Sequence, residues 1–154
     1  MNRLYPLKFK PIIKDKIWGG TRLSNVLNKN CKTDKAGESW EISCYPGSIS
    51  KVKNGFLAGN TLEELIEVYM GDLVGDGVFE KFGTLFPLLI KFIDANDVLS
   101  VQVHPNDELA LKQFDSYGKT EIWYILEAEK ESEIIVGFNQ QKKKKKYQQH
   151  LNDK

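Results

Sequence analysis

The clearest alternation of apolar and polar positions runs from Leu99 to His104 and predicts a β-strand. Its odd-numbered residues are apolar and its even-numbered residues are polar, so Gln102 and His104 fall on the same face, because successive side chains of a strand point to opposite sides. A second predicted strand, residues 120–129, carries Glu121 near its start. The two strands can therefore bring an amide oxygen, an imidazole and a carboxylate to one place.

Helical spacing is clearest between Thr61 and Met70. Thr61 and Glu64 have the spacing of a capping box, and the apolar residues that follow Thr61 fall on one stripe. Gly71 is expected to end this helix, and residues 71–83 are expected to be irregular because they are rich in glycine.

Most of the other predicted elements are short strands separated by turn signals. Further strands are predicted at residues 7–9, 12–13, 37–43, 49–52, 88–94 and 134–138, with a turn at 18–20. Short helices are predicted at residues 21–27 and 108–114, the second capped by Asn106 or Asp107. Because the strands follow one another through tight turns, without a regular strand–helix–strand repeat, the chain is predicted to be mainly β. An antiparallel sandwich or jelly roll with a few short helices is the expected architecture.

Composition is that of one globular domain, with 154 residues, 41% of them hydrophobic and 28% charged, which is enough to bury a core. The net charge of +1 conceals a basic run at Lys142–Lys146, and the rest of the chain is mildly acidic. Nothing in this balance points to nucleic acid or to a membrane as a partner. The lysine run is interpreted as an exposed charge cluster, with an acidic or nucleic-acid partner as the alternative.

Cysteine content and the first residues bear on location. Cys31 and Cys44 are too few for a disulfide scaffold in a chain of this size, so both are predicted to be free thiols. The first residues lack the apolar run of a signal peptide, and no segment reaches the roughly 20 apolar residues of a membrane span. A cytoplasmic location is the resulting prediction.

The polar group formed by Gln102, His104 and Glu121 has two interpretations. An imidazole nitrogen together with carboxylate and amide oxygens suits Zn²⁺ or another first-row divalent ion. Pro105 ends the predicted strand and would place His104 at a sheet edge. On the other hand, a lone histidine is more often a hydrogen-bonded structural residue than a metal ligand. The residue types by themselves leave both interpretations open.

Several ordered motifs resemble those of the type I phosphomannose isomerases. The two that carry the polar group are Gln-Val-His-Pro at residues 102–105 and Gly-Lys-Thr-Glu-Ile-Trp-Tyr at 118–124. Other stretches that look like the short bacterial members are Trp-Gly-Gly at 18–20, Gly-Glu-Ser-Trp-Glu-Ile-Ser at 37–43, Phe-Pro-Leu-Leu-Ile-Lys at 86–91 and Gly-Phe-Asn at 137–139. The resemblance covers residues 5–140, and the shared order of the motifs makes it specific.

This resemblance implies a zinc-dependent enzyme with a cupin-like jelly roll that interconverts mannose 6-phosphate and fructose 6-phosphate. By position, Gln102, His104 and Glu121 match the family's ligands for one zinc ion per chain. Lys119 matches a basic residue near the sugar-phosphate substrate, although an exposed loop lysine is an equal interpretation. Lys91 either lies at a sheet edge or reaches into the site. The resemblance identifies no catalytic base and no oligomeric state.

In one respect the chain departs from this family, whose members are considerably longer. They take a further histidine ligand, a catalytic arginine and part of the sugar pocket from their second half. Arg3 and Arg22 match no such position, and His150 is not expected to replace the ligand. We therefore expect residues 1–140 to be the N-terminal part of a cupin-type enzyme, incomplete through truncation or a frameshift, with weakly bound zinc and low or no activity. Residues 141–154 are expected to be a poorly ordered, lysine-rich tail.

Two other function classes stay open. The chain could be a non-catalytic cupin module that binds a metal or a sugar phosphate, which binding without isomerisation would indicate. It could also be a structural or interaction domain whose polar side chains are only hydrogen-bonded, which unchanged stability after chelation would indicate.

Overall fold

The computed structural model describes residues 4–138 and 144–153. The chain divides into two units, the first ending at Leu99 and the second beginning at Ser100. The elements are, in chain order, β1 (Ile12–Gly20), α1 (Arg22–Asn25), β2 (Ala36–Ile42), β3 (Cys44–Tyr45), β4 (Ser48–Ile49), α2 (Leu62–Tyr69), α3 (Gly71–Val74), α4 (Asp76–Phe82), β5 (Ile90–Ile93), α5 (Asp107–Phe114) and α6 (Lys144–Asn152). None of the helices in the described ranges is long and apolar enough to cross a membrane.

An antiparallel sheet of three strands, in the order β1-β2-β5, organises the first unit. β2 pairs with both neighbours, so that Ser39 lies opposite Ile13 on one side and Phe92 on the other. Its central position explains why four consecutive residues at its start are buried. β2 and β5 confirm the strands predicted at residues 37–43 and 88–94.

β1 is longer than the sequence predicts, because Trp18-Gly19-Gly20 continues the strand instead of forming a turn. A Cβ atom on Gly19 would lie 2.5 Å from the backbone nitrogen of Gly37. Only glycine allows the backbones of β1 and β2 to approach this closely. The prediction of a turn at residues 18–20 is therefore wrong, and Gly19 serves the close packing of β1 on β2.

A short hairpin formed by β3 and β4 carries one of the two cysteines. Cys44 pairs with Ile49 across the hairpin, around a turn in which Gly47 has a φ of 75°. The Cys44 side chain is buried, and this burial raises the pKa of its thiol. Cys44 and Cys31 are both free, which confirms the prediction of free thiols.

α2 confirms the predicted amphipathic helix and its capping box. The Glu64 backbone nitrogen donates a hydrogen bond to Thr61 Oγ1 at 3.2 Å, and the Thr61 nitrogen donates to Glu64 Oε2 at 2.7 Å. The buried side of the helix contributes to both apolar clusters of the first unit, with Ile66 in one and Leu65 in the other. Packing of this face holds the helix against the strands and loops around it.

The segment after α2 is helical, so the prediction of an irregular stretch at residues 71–83 is wrong. α3 and α4 occupy most of it. Gly75 separates the two helices with a φ of 89°, and Gly83 follows α4 with a φ of 59°. Glycine adopts such positive φ angles at little cost and is common just beyond helix ends. Gly75 and Gly83 therefore indicate where helices end, not a lack of helix.

The described residues of the second unit form two helices and no strand. The predictions of strands at residues 99–104, 120–129 and 134–138 are therefore wrong. Val103 is 82% exposed and Ile122 is 96% exposed, whereas Ala110 is the one buried residue among those described in this unit. A strand needs the hydrogen bonds of a neighbouring strand, and alternation within one segment cannot supply them.

The fold class is mixed α and β with antiparallel sheets, which corrects the prediction of a mainly β chain, since the described helices hold more residues than the strands do. A jelly roll stays a prediction, as does a domain boundary near residue 140. Within the tail, the structure describes α6, whereas residues 139–143, which include the start of the lysine run, and Lys154 lie outside the described residues.

Candidate functional site

The chain around α5 turns back on itself. Asn106 caps this helix, as predicted, by accepting a backbone hydrogen bond from its first turn at 3.0 Å. The helix ends at Asp115, whose left-handed conformation (φ 48°, ψ 47°) redirects the chain. The Gly118 nitrogen then donates to Asp107 Oδ1 at 2.9 Å. Residues 118–121 consequently run beside the start of the helix.

Gly118 makes this return possible. A Cβ atom at this position would lie 2.6 Å from both the Asn106 carbonyl carbon and the Asp107 nitrogen. These are backbone atoms at the start of α5, which cannot yield without disturbing the cap. The Lys119 nitrogen makes the next contact, donating to the Pro105 oxygen at 3.4 Å. This role of Gly118 is not among the sequence predictions, although a glycine directly before the Lys-Thr-Glu motif is a signal for such a turn.

Glu121 lies between His104 and Lys119. Glu121 Oε2 is 3.3 Å from His104 Nε2, and Glu121 Oε1 is 3.0 Å from Lys119 Nζ. The side chains of His104 and Glu121 are 24% and 31% exposed, so this pair is partly shielded from solvent. Three of the four predicted site residues thus form one group, called here the His104–Glu121–Lys119 cluster.

The pKa of Glu121 lies below its usual range. Burial has the largest single influence and raises the pKa, but the hydrogen bond and the charge of Lys119, followed by the influence of His104, together outweigh it. Glu121 is therefore an ionised carboxylate at neutral pH, which is the form that binds metal ions.

Gly118→Ala is expected to change the pKa of Glu121, because the added Cβ forces residues 118–121 away from Pro105 and His104 and so alters both the burial of the carboxylate and its contact with His104. Carboxyl-carbon NMR titration of chelator-treated protein measures this shift. Gly77→Ala is the matched control, since a Cβ on Gly77 meets nothing within 4 Å. An identical Glu121 titration in both variants would show that the cluster does not depend on the return turn.

The fourth predicted site residue, Gln102, is exposed, and no hydrogen bond within the described residues joins its amide to the cluster. Among all the residues that the structure describes, no group of three or more His, Cys, Asp and Glu side chains is placed to hold a metal ion. Within residues 4–138 and 144–153, a third ligand beside His104 and Glu121 would be of another type, such as an amide oxygen. The role of Gln102 as a ligand stays a prediction.

His104 and Glu121 fit a zinc ion in donor type and in spacing. Ligand bonds of about 2.0–2.2 Å in a tetrahedral site place neighbouring ligand atoms about 3.3–3.5 Å apart. The observed separation of Nε2 and Oε2 is 3.3 Å. The described donors therefore fit a divalent metal ion, with two ligand atoms already at a suitable separation.

A second charged cluster, in the first unit, was not predicted. Glu38 on β2 is 6% exposed; its Oε1 accepts a hydrogen bond from Lys91 Nζ at 2.8 Å. Its Oε2 accepts from Trp40 Nε1 at 2.9 Å and lies 3.6 Å from Lys16 Nζ. Burial is the largest single influence and raises the pKa of Glu38. The hydrogen bonds from Lys91 and Trp40 and the charges of Lys91 and Lys16 together outweigh burial, so the pKa lies below its ordinary value. Lys91 thus pairs with a buried carboxylate, which neither interpretation from the sequence included.

Comparison with known proteins identifies the family. A family model described as phosphomannose isomerase type I, catalytic domain, matches residues 6–150. The chain belongs to the type I phosphomannose isomerases. Mannose-6-phosphate isomerase ManA of Bacillus subtilis (strain 168) is 44% identical over 138 residues, which cover 87% of this chain and 41% of ManA. Mannose-6-phosphate isomerase of Streptococcus mutans is 42% identical over 132 residues, which cover 86% of this chain and 40% of that protein.

Solved structures of phosphomannose isomerases are similar to this chain. The crystal structure of the Bacillus subtilis mannose 6-phosphate isomerase matches with a TM-score of 0.64 and 36% identity, over 73% of this chain and 35% of that one. A mutant of the Salmonella typhimurium phosphomannose isomerase matches with a TM-score of 0.58 and 27% identity, over 71% and 27%. The chain spans about two fifths of the length of ManA and of the Streptococcus mutans enzyme. Type I phosphomannose isomerases depend on a metal ion, and the donor pair in the second unit is compatible with this.

Proposed function

We propose that the second unit supplies zinc ligands to a mannose-6-phosphate isomerase site, with Gln102, His104 and Glu121 as the ligands. The observation that carries this proposal is the 3.3 Å separation of His104 Nε2 and Glu121 Oε2. Membership of the type I phosphomannose isomerases supports the reaction, which interconverts mannose 6-phosphate and fructose 6-phosphate. The free thiols support a reducing, cytoplasmic setting.

The reaction moves a proton between neighbouring carbons of the sugar, and negative charge develops on the oxygen beside them. A bound divalent ion supplies a Lewis acid that stabilises this charge. His104 and Glu121 would bind the ion and fix its position. Lys119, whose side chain is 47% exposed, would offer its remaining N–H donors to the phosphate or to a sugar oxygen. The base that moves the proton is not assigned to a residue of this chain.

On its own, the chain is proposed to bind zinc weakly and to convert mannose 6-phosphate slowly. Among the described residues, only two donors lie at a suitable separation, and ordering the exposed Gln102 side chain costs about 1–2 kcal/mol of entropy. The sequence from Ser100 onward contains no arginine, so lysines are the permanently charged side chains that the second unit offers to a phosphate.

Zinc binding by the whole chain tests the ligand assignment. After chelation, zinc is titrated by equilibrium dialysis into the wild type, Glu121→Gln and Glu133→Gln. The wild type and the exposed-site control Glu133→Gln are expected to bind one zinc ion with equal affinity. Binding by Glu121→Gln is expected to be more than about tenfold weaker, because the amide that replaces the carboxylate carries no charge. Equal binding by all three proteins would refute the assignment.

Sugar phosphate is then added to the zinc-loaded proteins, and the formation of fructose 6-phosphate is measured. Slow turnover that is lost in Glu121→Gln supports the isomerase function. Binding of mannose 6-phosphate without any turnover would instead support the alternative of a non-catalytic metal- or sugar-phosphate-binding module.

A further inference from the structure

The two carboxylate oxygens of Glu121 have different partners. Oε1 lies 3.0 Å from Lys119 Nζ, and Oε2 lies 3.3 Å from His104 Nε2. We propose that Lys119 is a positioning residue that makes Glu121 a one-oxygen metal ligand, by holding Oε1 and leaving only Oε2 for the ion. This inference rests on the proposed function, because it concerns how the proposed ion is held.

A carboxylate can bind a metal ion through one oxygen or through both. Binding through both fills an additional position around the ion. At 3.0 Å the Lys119 ammonium is within hydrogen-bond distance of Oε1 and neutralises part of its charge. The second metal–oxygen bond is then disfavoured, and a position stays open for a substrate oxygen.

The backbone keeps Lys119 close to this oxygen. The Lys119 nitrogen donates to the Pro105 oxygen, directly after His104, and only Thr120 separates Lys119 from Glu121. The lysine is therefore attached to both sides of the cluster through short stretches of chain. Its positive charge also opposes the binding of a cation, so the open position comes with a lower metal affinity.

Cobalt substitution distinguishes the two coordination modes without any activity measurement. Co²⁺ takes the same ligands as Zn²⁺, and its visible absorption is strong in four-coordinate sites and weak in sites of higher coordination. The spectrum and the Co²⁺ affinity are measured for the wild type, Lys119→Met, Lys119→Arg and Lys130→Met. Lys130→Met carries the same charge change at an exposed residue outside the cluster.

In Lys119→Met we expect Co²⁺ binding to become roughly tenfold tighter, because a nearby positive charge is removed, and the visible absorption to weaken as Glu121 binds through both oxygens. Lys119→Arg, which keeps the positive charge, and Lys130→Met should both show the wild-type spectrum. Wild-type spectrum and affinity in Lys119→Met would overturn the inference and leave the proposed function standing. Failure of the wild type to bind Co²⁺ or Zn²⁺ through His104 and Glu121 would overturn the proposed function and the inference with it.

Discussion

His104→Ala is expected to weaken zinc binding more than about 100-fold, since loss of a residue that only supports a ligand already costs about 10–100-fold. His104 supplies the only nitrogen donor in the His104–Glu121–Lys119 cluster that can bind a metal ion, because the Lys119 ammonium has no free electron pair. The variant leaves Glu121 Oε2 and the exposed Gln102 amide, which hold zinc poorly without an imidazole. Competition with a chromophoric chelator at neutral pH measures the change.

The matched control is His150→Ala, which removes the other histidine of the chain. His150 lies in α6 and is exposed. Zinc affinity should be the same in His150→Ala and in the wild type. An equal loss in the two histidine variants would indicate binding to exposed histidines in general, and an unchanged affinity in His104→Ala would contradict the ligand assignment directly.

Lys91→Met is expected to destabilise the first unit by about 2–3 kcal/mol, somewhat less than the loss of a partner in a fully buried ion pair. The substitution removes the closest cation from the Glu38 carboxylate, which is 6% exposed, and leaves Trp40 and the more distant Lys16 as its partners. Urea unfolding measures this loss of stability. The fluorescence of Trp18 and Trp40, in a Trp123→Phe background, reports unfolding of the first unit.

The effect of Lys91→Met should depend on pH in a defined direction. The pKa of Glu38 is lower in the folded chain than its ordinary value, so its ion pair stabilises the fold above that ordinary pKa and ceases to do so as pH falls through the folded-state pKa. The variant should therefore differ most from the wild type near neutral pH and converge with it in acid. Lys53→Met, at an exposed lysine, should change stability by less than about 0.5 kcal/mol at every pH. A pH-independent loss in Lys91→Met would indicate that packing, not charge, is responsible.

Elements specified by local signals could be predicted from the sequence. The capping box of Thr61 and Glu64 fixes the start of α2, and Asn106 fixes the start of α5, because each cap bonds to nitrogens only a few residues away. The turn predicted at residues 18–20 and the irregular stretch predicted at residues 71–83 are wrong because the role of a glycine depends on more than its local sequence. Gly75 and Gly83 end helices and Gly19 lies in a strand, and the choice between these roles depends on what each backbone contacts.

The proximity of His104 and Glu121 could be predicted from the sequence, but for a mistaken reason, and Gln102 as a third ligand stays a prediction. His104 and Glu121 do lie together, yet no pair of strands brings them there, because the described residues 100–138 form no strand. The return through α5, with Gly118 against the helix start, does so instead. Glu38 was missed because its partner Lys91 lies on β5, 53 residues away, and pairing at that distance depends on the register of the sheet.

The scarcity of buried residues in the second unit affects how its folding can be observed. Because Ala110 is the one buried residue among those described there, unfolding this unit exposes little additional apolar surface. Both the heat-capacity increment and the denaturant dependence of unfolding scale with that newly exposed surface. Calorimetry of the chain will therefore register mainly the melting of the first unit. The state of the second unit has to be followed with a reporter inside it, such as the fluorescence of Trp123.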